Sequence, residues 1–156
     1  MLKIEISPFH SVHQNEIDVM INEISKEFLL PISSGRKSTS VLLDKYWVAF
    51  YGSEIVGTVG VLKTDSNFSV LKNMFVKKKY RGKDFGTAQL LLNSVFDWSI
   101  EEGISRIYLG TMDQFKAAHK FYEKNEFQKI AKSKLPLNFI KNPIDDVFYK
   151  KDLNMR

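Results

Sequence analysis

The sequence predicts an α+β fold: a mixed, largely antiparallel central sheet with helices on both faces. Three observations carry that prediction. The apolar runs "YWVAFY", "IVGTVGVL" and "VLKNMFV" follow one another across short turns, which makes an antiparallel meander. Over 70–110 a strand, a basic loop, an apolar helical pattern and the run "RIYLGT" make one crossover unit, expected to be right-handed. Two further stretches, 10–28 and 115–125, repeat apolar residues at helical spacing and supply cover for the sheet.

In chain order, Leu2 to Ile6 alternates apolar and polar residues and reads as a first strand. His10 to Phe28 reads as a helix, with Ile17, Met20, Ile21, Ile24 and Phe28 on one side and Pro31 as its stop. The stretch "PISSGRKSTS" reads as a mobile polar loop, too short to be a domain linker. Gly52-Ser53-Glu54 and "TDSNFS" are the turns of the meander. After the basic loop, Phe85, Ala88, Leu91, Leu92, Val95 and Phe96 form a strong helical pattern that Gly103 ends. The stretch 115–125 places Ala118, Phe121 and Tyr122 on one side of a short helix, and "FQKIAK" with "DVFYKKDL" reads as a final strand pair.

The chain has 156 residues, which points to one domain over 1–156. Apolar residues make up 44% and aromatics 13%, a globular composition. The sequence has no cysteine, so disulfides and thiolate metal sites are excluded. His10, His13 and His119 have no cluster of further ligands around them, and no metal is expected. The start "MLKIEISPFH" reads as a strand and not as a signal peptide, and no apolar run reaches the ~18 residues of a membrane span. These features point to a cytoplasmic protein with no membrane partner. A net charge of +5 suits an anionic ligand without choosing one.

The choice is made by "VKKKYRGKDFGTAQLLL", residues 76–92. Lys77, Lys78, Lys79, Arg81 and Lys83 crowd one turn between a strand and a helix, and Lys77 to Lys79 also read as a plain solvated surface. A nucleic-acid surface needs cations spread over a face, often with stacking aromatics, and here only Tyr80 and Phe85 are near. The entry into a helix exposes unpaired N–H groups and the positive end of the macrodipole. Gly82 and Gly86 let main chain approach a phosphate closely, and Thr87 adds an N–H and a hydroxyl. Together they make a phosphate cradle. The Gly-Lys-Ser/Thr ending of a P-loop is absent, and the glycine spacing is not that of the dinucleotide fingerprint.

Arg81-Gly82-Lys83-Asp84-Phe85-Gly86 resembles the Arg/Gln-x-x-Gly-x-Gly/Ala motif of the GNAT superfamily of N-acetyltransferases, and "AAHKFYEKNEF" resembles the same family's Phe-Tyr-Glu-Lys-x-Gly-Phe segment. The likeness is strongest over 70–127, and the strand order extends it along the chain. It implies the acyl-CoA N-acyltransferase fold and direct transfer of acetyl from acetyl-CoA, bound as co-substrate without a metal, to a primary amine of a small molecule or peptide. It implies that main chain at Phe75 and Val76 pairs with the pantetheine arm, and that an N–H there polarises the acetyl carbonyl in a slot between the strands at 70–76 and 106–111. It implies that N–H groups from Arg81 to Thr87, through Gly82, Lys83, Asp84, Phe85 and Gly86, hold the pyrophosphate. Tyr122 is implied as the acid that protonates the leaving thiolate; read from its helix alone, it is equally a core aromatic. A homodimer is compatible with this reading.

Two positions depart from the family pattern: Asp84 stands for the first motif glycine, and Glu126 for the glycine before Phe127. Asp tolerates a left-handed backbone, and a left-handed helix end is expected to fall on Asn125. The strand "VLKNM" lacks the carboxylate that many members carry there as base; Asp113 and Glu54 are not selected by spacing, Asp113 reading as a loop or helix cap. Asp145 and Asp146, beside the last strand, read as a solvated turn, with attraction of an amine as the alternative. Base and acceptor therefore stay open. Two other readings remain: a nucleic-acid-binding module using the loop 77–83, and a GNAT-like protein that holds coenzyme A without transferring acetyl.

Overall fold

A computed structural model describes residues 2–32, 43–64 and 67–153. Most of the expected polar loop at 31–40 lies outside the described residues. Among them the strands form one seven-stranded mixed sheet in the order β1-β2-β3-β4-β5-β7-β6. These are β1 Ile4–Pro8, β2 Lys45–Tyr51, β3 Glu54–Lys63, β4 Phe68–Val76, β5 Arg106–Thr111, β6 Gln128–Ile130 and β7 Val147–Asp152. The helices are α1 Gln14–Ser25, α2 Thr87–Glu101 and α3 Lys116–Lys124. β1 to β4 run antiparallel, β4 and β5 pair in parallel across α2, and β7 enters between β5 and β6.

Alternation along the strands supplies two apolar faces. Val48 and Ile55 point to the face of α1 and pack with Ile17, Met20 and Ile24. Their neighbours Ala49 and Val56 point to the other face and pack with Leu91, Leu92 and Val95 of α2. That second cluster also takes in Tyr122 of α3 and the buried Phe127 after it. Both faces of the central strands are thus dry, which is why they read as near-continuous apolar runs.

Three boundaries differ from expectation. The first strand begins at Ile4 and ends at Pro8, tolerated because β1 is a sheet edge. The first helix begins at Gln14, after a 3-10 turn Ser11–His13, and ends at Ser25 rather than Phe28. The Ser25 hydroxyl donates to the Asn22 carbonyl at 2.6 Å, and Phe28 leaves the helix to pack edge-on against Phe115, ring centroids 4.8 Å apart. Phe85 lies before α2, not within it; it packs on Tyr80 and Tyr51 at 4.9 and 5.5 Å.

Candidate active site

The site begins with a bulge. Between the pairs Thr58↔Phe75 and Gly60↔Lys72, β3 has one residue and β4 has two, so β4 carries an extra residue. Asn73 absorbs it with φ 52, a left-handed conformation that Asn tolerates, and its carbonyl accepts a 2.8 Å hydrogen bond from Thr58 Oγ1. β4 and β5 pair from Phe68↔Arg106 only to Leu71↔Leu109. Beyond that point β5 stays with β7 through Gly110 and Thr111, while β4 turns away. The strands therefore splay, and a cleft of about 1670 Å³ opens there, lined by Lys72–Val76, the loop after β4, the end of α1, α3 and the turn before β7.

The loop between β4 and α2 is shaped by two glycines. Gly82 has φ 97 and Gly86 has φ 65, and the Gly86 N–H donates to the Gly82 carbonyl at 3.1 Å, closing a ring. A Cβ at either glycine would meet nothing within 4 Å, so the space above the ring is open. The main-chain N–H groups of Lys83, Asp84, Phe85, Thr87, Ala88 and Gln89 find no main-chain acceptor among the described residues. They form a concentrated set of donors at the head of a fifteen-residue helix, the arrangement an anion requires.

Several loop side chains differ from their expected use. Asp84 is exposed, lies outside the left-handed region and does not cap α2; the two glycines carry the turn instead. The Arg81 guanidinium is already committed, donating to both carboxylate oxygens of Glu27 at 2.6 and 2.9 Å and to the Val76 carbonyl at 2.8 Å. It fixes the loop against the end of α1. The Thr87 hydroxyl is buried without a partner among the described residues, so what Thr87 can offer a ligand is its N–H and not its oxygen. Gly57 on β3 explains that burial: a Cβ there would lie 2.9 Å from the Phe75 carbonyl and 3.4 Å from Thr87 Cγ2, so α2 seats directly on the sheet. Lys77 pairs with Glu54 at 2.9 Å, and Glu54 also accepts from the Tyr80 hydroxyl at 3.0 Å. The hydrogen bond from Lys77 holds the Glu54 carboxyl below its usual range. Glu54 is thus a clasp on the loop and does not line the cleft.

Tyr122 lines the cleft from α3 and is buried, its ring packed against Phe127 and Tyr149 at 5.6 and 5.9 Å. Its hydroxyl has no hydrogen-bond partner among the described residues. Burial raises the phenol well above its ordinary range, with Asp145 and Tyr149 adding to the effect, so Tyr122 is a neutral donor at any working pH. Its helix ends in a left-handed reversal, but the left-handed residue is Glu126, φ 68, and not Asn125. Asn125 instead caps α3, donating from Nδ2 to the Phe121 carbonyl at 3.0 Å, while Glu126 makes the reversal that buries Phe127.

The two acids before β7 separate. Asp146 is exposed and accepts a 2.8 Å hydrogen bond from the Asp113 N–H, as a turn residue does. Asp145 is not solvated as expected; it is half-buried and lines the cleft. It fits because position 110 is glycine: a Cβ there would lie 2.6 Å from Asp145 Oδ2 and 3.1 Å from Asp145 Cβ. Burial pushes the Asp145 carboxyl up to about 6, against the attraction of Lys72 and with Asp146 adding. Burial lowers the ammonium of Lys72, which also lines the cleft, and Asp145 opposes that shift. Asp113 is exposed and paired with Lys116 at 2.9 Å in the first turn of α3. Sequence reasoning passed over Lys72; the available signal was a lone cation in the apolar strand "VLKNM". Among the described residues, no group of acidic or histidine side chains is placed to hold a metal ion.

Comparison with known proteins agrees with this architecture. The sequence profile of the acetyltransferase (GNAT) family matches residues 19–127. An N-acetylaspartate synthetase from Danio rerio is 30% identical over 109 residues, covering 67% of this chain and 38% of that protein, so the match spans well under half of the relative. The crystal structure of an acetyltransferase of GNAT family from Staphylococcus aureus Mu50 superposes with a TM-score of 0.89 at 32% identity, covering 97% of this chain and 99% of that one. The PaiA N-acetyltransferase from Thermoplasma acidophilum, solved in complex with coenzyme A, superposes with a TM-score of 0.75 over 97% and 99% of the two chains. At 19% identity that second likeness speaks for the fold alone.

Proposed function

The chain belongs to the acetyltransferase (GNAT) family, and from that membership we propose that it moves an acetyl group from acetyl-CoA directly to a primary amine. One observation carries the reading: Gly82 and Ala88, which flank the unpaired N–H groups of Lys83, Asp84, Phe85 and Thr87, line the same cleft that β4 opens by splaying from β5. A diphosphate at the loop and an extended arm along the free edge of β4 suit those two features together. Coenzyme A, present in the Thermoplasma relative, has that form.

Bound acetyl-CoA supplies the acetyl group as an activated thioester. N–H groups of Lys83, Asp84, Phe85 and Thr87 donate to the diphosphate. The free edge of β4 at Phe75 and Val76 aligns the arm, and an N–H there stabilises the negative charge that develops on the carbonyl oxygen. Tyr122 donates a hydrogen bond to the departing sulfur. With its pKa raised, the phenol is a donor that stabilises thiolate rather than a strong acid. The acceptor must lose a proton before it can attack, at a cost of about 4–5 kcal/mol for a lysine-like amine at pH 7. Among the described residues no helix is long and apolar enough to cross a membrane, and we take the protein to act as a single domain in the cytoplasm.

The side chains weaken the nucleic-acid reading, because two of the five cations of the basic loop, Lys77 and Arg81, are paired with Glu54 and Glu27. Titration with coenzyme A and with duplex DNA at two salt concentrations separates the two. Saturable coenzyme A binding with weak, steeply salt-dependent DNA binding is expected; the reverse pattern overturns the reading. A screen for acetyl transfer over amines, amino acids, peptides and aminoglycosides then separates an enzyme from a protein that only holds coenzyme A.

A further inference from the structure

Two charged side chains in the cleft have no partner of their own. Lys72 stands on β4 just past the last β4–β5 pair, and Asp145 stands in the turn before β7, on the other side of the splay. Among the described residues neither forms an ion pair, and neither side chain takes part in a hydrogen bond. Lys77 and Arg81, also partly buried, each sit on a carboxylate, while the half-buried Lys72 does not. Lys72 and Asp145 feel each other, since each favours the charged form of the other. A gap remains between them.

The position of Asp145 is built into the fold. Gly110 makes room for it, its own N–H donates to the Asn142 carbonyl at 3.0 Å, and the Asp146 N–H ties the turn to the Thr111 carbonyl at 3.0 Å. Two half-buried charges of opposite sign, held apart, are costly to desolvate. A ligand carrying both charges relieves both at once.

We propose that Lys72 and Asp145 form the acceptor site, that the acceptor is a zwitterion with amine and carboxylate close together, as in an amino acid, and that Asp145 takes the proton its nitrogen must lose. This rests on the acetyl-transfer reading above. The acceptor carboxylate binds Lys72 and its ammonium binds Asp145. Asp145 accepts one proton, the freed lone pair forms the N–C bond to the acetyl carbon, the C–S bond breaks, and the second proton of the nitrogen passes to the departing thiolate. Ammonium and acetyl-CoA give acetamide, coenzyme A thiol and one proton. A plain amine satisfies Asp145 but meets Lys72 as a like charge.

The groups that face Asp145 are Lys72 from β4, Tyr122 from α3 and Asp146 from its own turn. A base must be ionised, and burial has raised this carboxyl to about 6. The value of kcat/KM therefore falls as pH drops through about 6. Asp145→Asn removes that limb.

The test compares L-amino acids with the amines left when each loses its α-carboxylate, by thiol release. The best amino acid is expected to exceed its matched amine by about 10-fold or more in kcat/KM, and Lys72→Met to bring the two classes to within about threefold. A second readout needs no turnover: the best amino acid is titrated calorimetrically into protein saturated with coenzyme A. Binding is expected in the wild type and lost in Lys72→Met, with coenzyme A affinity kept. Plain amines that serve equally well, or a Lys72→Met variant with an unchanged ratio, overturn the proposal and leave acetyl transfer standing. Failure of every member of both classes to be acetylated overturns this proposal; the acetyl-transfer reading falls with it only if the peptides and aminoglycosides of the wider screen are not acetylated either.

Discussion

The two regions of the cleft are built from different materials. The loop end is main chain from one short segment, 82–89, whose donors are aimed by two glycines in the left-handed region. The acceptor end is side chains from distant segments: Lys72 beside a bulge, Asp145 before the last strand, and Gly110 between them as the space that admits the acid. A main-chain site depends on backbone shape and tolerates many side chains. A side-chain site depends on which residues the fold happens to bring together. Substitutions should therefore damage the first through geometry and the second through charge.

The largest effect is expected at the loop. Gly86→Val places a β-branched side chain at φ 65, in space that is open above the ring, where the diphosphate would lie. The strain is about 1–2 kcal/mol, which the fold should survive, while coenzyme A affinity should fall by more than about 100-fold. Calorimetry with circular dichroism as the folding control decides it. Unchanged affinity in a folded variant removes the cradle.

Tyr122→Phe comes next and lies between the two regions. It deletes a hydroxyl that faces the cleft without a hydrogen-bond partner among the described residues, so stability should hold or rise slightly. The expected loss is about 100-fold in kcat with little change in acetyl-CoA affinity, because the donor acts as thiolate departs. Wild-type turnover returns Tyr122 to the core. Gly110→Ala sharpens the contrast from the other side. It puts a methyl group 2.6 Å from Asp145 Oδ2, so the carboxylate must move. The expected cost is about 10-fold in kcat/KM for the acceptor with coenzyme A affinity unchanged. A parallel loss of coenzyme A binding would show that the two regions are not separable.

The smallest effect concerns the exposed acid of the loop. Asp84 neither caps α2 nor pairs with a cation among the described residues, so its charge opposes a diphosphate without supporting the turn. One like-charge contact at an exposed site costs about 1 kcal/mol. Asp84→Gly and Asp84→Asn should therefore tighten coenzyme A several-fold, with the gain shrinking in salt. Weaker binding in both would make Asp84 a ligand contact.

The same contrast sets what was legible in the sequence. The strands, the crossover and the loop could be read because alternation, helical spacing and glycines are local signals. The helix ends were less legible: Phe28 and Phe85 fit the apolar spacing but pack against Phe115 and Tyr80. The left-handed positions were placed on Asp84 and Asn125 by residue preference, yet the chain puts them at Gly82, Gly86 and Glu126. At Glu126 the burial of Phe127 outweighs local preference. Asp145 read as a solvated turn because nothing local shows that Gly110, thirty-five residues earlier, leaves room for it. The commitment of Arg81 to Glu27 was hidden in the same way, since the partners lie fifty-four residues apart.

The central claim is tested most directly by product balance. The protein is incubated with acetyl-CoA and the mixed amino acids, and free coenzyme A and N-acetylated amine are both quantified by mass spectrometry. The account predicts that the two accumulate in equal amounts and that neither forms with Gly86→Val. Coenzyme A released without acetylated amine, from protein that binds it, would contradict the account.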